Sequence, residues 1–237
     1  MDAQTRTALK KDDVLVHSTQ IGLDWIAANR GRALRIALGV LAVILIAIVG
    51  AVIYQQRTQA ARSAFGSAMS IYSTPIADPA QPVPPGVKTY ADAAERAKAA
   101  RPLFQKVASD YSSTAPGHMA LYFSGLTAAE MGDVGGAEGA FRKSGDTHDA
   151  SVASLSHLAL ANLLAQHGGN SEAIKLYQDL INHPTSTVPA GTAQLQLAQL
   201  YEATDPAQAT KIYAQLKAKD TTTAAGQIAA QKLSGKR

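Results

Sequence analysis

The chain has 237 residues, with 22 Lys and Arg against 18 Asp and Glu, a formal charge of +4 and no cysteine. The missing cysteines exclude disulfide stapling and any thiolate-ligated metal. Nucleic-acid binding is excluded as well, because several basic residues flank an apolar run and the rest are scattered, with no Lys/Arg block interleaved with aromatics.

Residues 1–35 read as a polar N-terminal and juxtamembrane segment. Its first part carries the mixed charges Lys10, Lys11, Asp12 and Asp13, and Ile21, Leu23, Trp25 and Ile26 read as a short interfacial stretch at headgroup level. Residues 36–54, IALGVLAVILIAIVGAVIY, carry no charge. At about 1.5 Å per residue such a helix crosses a hydrocarbon core about 30 Å thick. A helix buried in a soluble core would keep a polar face, and this run has none. A cleaved signal peptide has a short leader, whereas roughly 35 residues come first, so a retained transmembrane anchor is expected.

Arg30, Arg32 and Arg35 precede the run and Arg57 and Arg62 follow it. This small basic excess, partly offset by Asp24, places the N-terminus in the cytoplasm and everything after Tyr54 outside. Within the anchor, Gly39 and Gly50 are too far apart for the close small-residue pair of helix dimers.

Residues 55–87 read as a helical extension and a proline-rich connector. Helical character continues over residues 57–72, then Pro75, Pro79, Pro82, Pro84, Pro85 and Gly86 resist regular structure. From 88 to 237, Ala, Leu and Gln are abundant and strand-like alternation is nearly absent. Helices are expected at 88–112, 118–131, 134–144, 152–167, 171–182, 190–203, 206–218 and 221–234. The class is all-α: an N-terminal transmembrane helix followed by an α-α superhelical solenoid.

The solenoid follows from a period. Ala137 and Phe141 return as Ala173 and Tyr177, then as Ala209 and Tyr213, each after 36 residues, with Ala100 and Phe104 as a less regular earlier copy. A small residue four positions before an aromatic puts both on one helix face, so a neighbour can approach and the ring fills the space one turn away. Each preceding helix has its own small residue, Gly125, Ala161 or Ala198. Between the helices lie turns at 132–136, 167–171 and 204–206, with Asn170 or Ser171, and Asp205 before Pro206, as caps. One amphipathic hairpin cannot bury its apolar face alone, so such units stack in series.

These small and aromatic residues, with Gly132 or Gly168 before the second helix, resemble the tetratricopeptide repeat. Leu121 and His157 stand where that repeat usually has tryptophan, and its inter-repeat proline is only approximated by Pro116 and Pro184. The whole arrangement, including the stretch ending AAGQIAAQKL, also resembles the ancillary subunits of the bacterial Sec translocon. That resemblance implies an inner-membrane protein with a periplasmic repeat domain beside the translocon, associated with periplasmic chaperones, outer-membrane assembly factors or exported polypeptides. It carries no catalytic residue and no cofactor.

First-helix side chains commonly line the concave surface of such a solenoid. Tyr122, Glu130, Ser154, His157, Asn162, Gln194 and Gln199 are therefore the candidates for binding a peptide or protein. Gly125, Ala137, Phe141, Ala161, Ala173, Tyr177, Ala198, Ala209 and Tyr213 are the repeat-packing residues. His118, His148, His157, His167 and His183 form no metal-ligand spacing. No nucleophile elbow, phosphate loop or metalloprotease motif is present, so the chain is not read as an enzyme. The expected function is a tethered adaptor bringing a soluble partner or emerging polypeptide to a membrane complex. The alternative is a structural subunit of an envelope assembly, homo-oligomeric if it binds its own copies.

Overall fold

In the computed structural model, residues 29–78, 80, 86–219 and 222–235 are described; Trp25 and the polar N-terminus lie outside them. The chain divides into two compact units, Met1–Gln56 and Arg57–Arg237. One helix, α1 (Arg30–Tyr72), contributes residues to both.

In the first unit, α1 begins after a turn in which Arg32 N donates to Asn29 O, and Arg35 Nε donates to Gly31 O. Its apolar stretch has a mean hydropathy of 3.2 over the best 18-residue window, with none of that window buried. Leu34, Ile36, Val43, Ile46 and Val49 all lie open. The segment is long and apolar enough to cross a bilayer.

The second unit is all-α, and its helices follow from their caps. Asp92 accepts from Glu95 N while Glu95 accepts from Ala91 N, and this reciprocal pair starts α2 (Ala93–Asp110). The expected start near residue 88 is therefore corrected: Tyr90 is extended, forming a parallel bridge with Ile76. Thr114 caps α3 (Ala115–Glu130), Asp133 caps α4 (Val134–Gly145) and Asp149 caps α5 (Ala150–Gln166). Helix α6 (Asn170–Asn182) follows Gly169, which makes no side-chain cap, so the expected cap at Asn170 or Ser171 is also corrected. The remaining helices are α7 (Ala190–Thr204), α8 (Pro206–Lys219) and α9 (Ala224–Ser234). Asp205 accepts from Gln208 N and Thr223 from Gly226 N, starting α8 and α9.

Two turns recur one period apart. Gly132 and Gly168 have φ of +74° and +86°, the left-handed conformation in which a side chain would be strained. Each reverses the chain between the helices of a hairpin.

From α2 to α9 every helix contacts its successor, and α3–α5, α5–α7 and α7–α9 touch across the intervening partner. That connectivity defines stacked helix pairs. At the start of the series the last part of α1 acts as a first helix: Ala68 is fully buried in a cluster with Ala100, Phe104, Val107 and Ala120, against which Phe65, Met69 and Tyr72 pack. Phe65 is 5.7 Å from Phe104 and 5.6 Å from Phe123. At the other end Tyr177 and Tyr213 join Ala161, Ala173, Ala198, Ala209 and Leu216.

Candidate protein-interaction surface

The close approach at the first helices begins with Gly125. A Cβ built there would lie 2.5 Å from Phe141 Cε1, so only glycine lets the α4 ring settle against α3. Phe141 is buried, as are Ala128, Ala137 and Leu160 around it. With this ring as the floor, α3 and α5 form the walls of a groove of about 270 Å³.

Tyr122, Leu126 and Ala129 contribute from α3, and Leu155, Leu158 and Asn162 are among those from α5. These positions recur at three- and four-residue steps, so each set lies on one helix face. No charged residue lines the groove. Among the described residues its one fixed polar contact is below Asn162, whose Oδ1 accepts from Tyr177 Oη at 2.7 Å. Burial pushes the Tyr177 phenol up to about 12, and raises that of Tyr122 as well.

Of the seven candidate binding residues, the groove gathers Tyr122 and Asn162. Glu130 is instead tied inside the domain: it accepts a short hydrogen bond from Tyr72 Oη and lies 3.5 Å from Arg96, whose guanidinium sits 4.9 Å from the Tyr72 ring centre. Burial and the Glu130 hydrogen bond raise the Tyr72 phenol. Ser154 is buried, donating to Ser151 O and meeting the hydroxyls of Thr185 and Thr187 at 2.8 and 3.0 Å. His157 lies against Gly145, where a Cβ would come 2.5 Å from Nε2. Gln194 is half-buried and Gln199 exposed on α7, outside the groove. Leu126, Leu155, Leu158, Ala159 and Gln166 were not among the candidates, yet their helical spacing from Tyr122 and Asn162 is the signal that places them there.

The small and aromatic positions all fall in the interior. Gly125, Ala137, Phe141, Ala161, Ala173, Tyr177, Ala198, Ala209 and Tyr213 are each buried. Tyr213 Oη donates to Glu202 Oε1 at 3.0 Å, and Lys232 Nζ reaches the same carboxylate.

Among the described residues no three His, Asp or Glu side chains are grouped to hold a metal ion. The profile of the family described as a tetratricopeptide repeat-like domain matches residues 31–183. No curated protein and no solved structure matches the chain.

Proposed function

The chain belongs to the tetratricopeptide repeat-like domain family, whose domains are non-catalytic protein-interaction scaffolds, and on that footing we propose that it is a membrane-tethered adaptor. Its anchor is the apolar part of α1, with the N-terminus in the cytoplasm and the repeat domain in the periplasm of a bacterium. Its partners are a membrane complex, the Sec translocon, and a periplasmic chaperone or exported polypeptide.

The observation that carries this reading is the uncharged groove between α3 and α5, built from first helices of consecutive repeats in a chain that also bears an unburied apolar stretch long enough to cross a bilayer. Apolar walls with a single fixed polar contact suit the side chains of an extended polypeptide better than a small charged ligand. Tethering raises the effective concentration of the domain near any membrane complex, so a shallow groove of this size is sufficient for function.

The test has two arms. The full-length protein is expected to stay with membranes after carbonate extraction, and release as a soluble molecule would remove the anchor. A photocrosslinking residue at Leu158 or Gln166 in native membranes is expected to capture translocon subunits, periplasmic chaperones or exported chains, with Gln199 as the position outside the groove. Capture only of identical copies would replace the adaptor by a structural, self-associating subunit.

A further inference from the structure

A second cavity opens on another face of the same region. It encloses about 400 Å³ between α2, the first half of α3 and α4, and shares no lining residue with the groove. Its chemistry is different. Arg101, His118 and Lys143 line it together with Ser109 and Ser112, and no Asp or Glu does.

The two full cations are not equivalent. Arg101 donates from Nη2 to Asp133 at 2.7 Å, so its charge is already balanced at the α3–α4 turn. Lys143 has no ionic partner among the described residues, and the acids nearby in α4 and α6, Glu138 and Glu172, both pair with Arg142. The two carboxylates that touch lining residues are each held by a cation, Asp133 by Arg101 and Asp110, which Ser109 also reaches at 3.3 Å, by Lys106, so the ammonium of Lys143 is the unmatched charge of the cavity. Space is also left for a main chain: Gly139, on the cavity wall, is exposed in the middle of α4, and a Cβ there would meet nothing within 4 Å.

We propose that this cavity is a second docking site, which receives an acidic segment of a protein partner. A Glu or Asp side chain entering it meets Lys143, and the segment's backbone passes over Gly139. Charge complementarity of this kind sets partner choice and speeds encounter. The site is independent of whatever fills the groove, so one repeat domain can hold an apolar and an acidic partner together.

The experiment uses the full-length protein in nanodiscs of zwitterionic lipid, which denies the arginines beside the apolar run an anionic surface. The probes are a fluorescent glutamate-rich peptide and its glutamine counterpart. Expected are binding of the first and not the second, weakening with added salt, about tenfold weaker binding for Lys143→Glu, and loss for Gly139→Trp, which fills the cavity from an exposed helix position. Lys143→Gln reports the charge alone should the tryptophan disturb α4. Equal binding of both peptides, or unchanged binding in the Lys143 variants, would overturn the site. Lys143-dependent binding of a soluble short-chain phosphatidylglycerol, without binding of the glutamate peptide, would overturn it too, by making the ligand a lipid headgroup.

Discussion

Single side chains decide how closely the helices of this domain approach. Gly125 faces the Phe141 ring with no room for a methyl group, so Gly125→Ala is expected to destabilise the domain by about 1–3 kcal/mol, since the ring must shift off its site. A urea titration with an unchanged midpoint would contradict that placement. Tyr177 makes a second prediction. Its phenol, ordinarily near 10, is pushed up by burial to about 12, and its proton is the one donated to Asn162. A folded-state value above the unfolded one means that its stabilisation is complete below pH 10 and disappears as the pH rises through about 12. Stability is expected to fall across that window, less steeply in Tyr177→Phe, with Tyr72 and Tyr213, both raised as well, supplying the rest. The small residue and aromatic of each repeat were legible because their spacing is strict. The groove was less so: a half-buried leucine such as Leu158 and a core leucine are the same letter, and polar residues such as Glu130 and Ser154 proved to have partners within the domain.

At the level of elements, nearly every helix is visible in the chain, and the differences lie at ends controlled by side chains. Residues 88–92 have helical composition, but the bridge between Ile76 and Tyr90 and the Asp92–Glu95 cap hold them extended until Ala93. The signal for that cap, an acid three residues before a glutamate, was present in the sequence. At the N-cap of α6 stands Gly169, where a Cβ would lie 3.0 Å from Leu164 Cδ2, so the position has little room for a polar cap side chain. Within α2 lies Pro102, exposed and well inside the helix. Proline there removes a backbone donor and crowds the previous turn, so Pro102→Ala is expected to raise stability by about 1–3 kcal/mol. A thermal midpoint that stays level or drops would show that the ring makes a compensating contact.

For the whole molecule, the repeat architecture is a string of local contacts: from α2 onward each helix meets its successor, and α3, α5 and α7 each also reach the next first helix. Stability in such a chain is close to a sum over neighbouring pairs, so its ends need not unfold together. The ionic contacts between elements lie mostly at the surface. Arg142 joins Glu138 and Glu172 at half-exposed positions, and such pairs contribute little in water. What unites successive pairs is apolar contact, which the strict alternation of small and large residues arranges. The function proposed for the molecule depends on that arrangement staying regular, because the groove walls belong to different repeats.

The aromatic rings are distributed unevenly along this string. The ring-to-ring contacts among the described residues join Phe65, Tyr72, Phe104, Tyr122, Phe123 and Phe141, while the single tryptophan, Trp25, precedes the repeats altogether. Coupled rings in fixed orientation contribute strongly to the near-ultraviolet dichroism of a folded protein, so that signal is weighted toward the first repeats, with the buried Tyr177 and Tyr213 adding the share of the later ones. Helical dichroism counts every repeat equally. If the α7–α9 end melts first, heating is expected to give two curves that separate, with a larger fraction of the helical signal than of the aromatic signal lost at the start; coincident curves would mean that the repeats melt as one body.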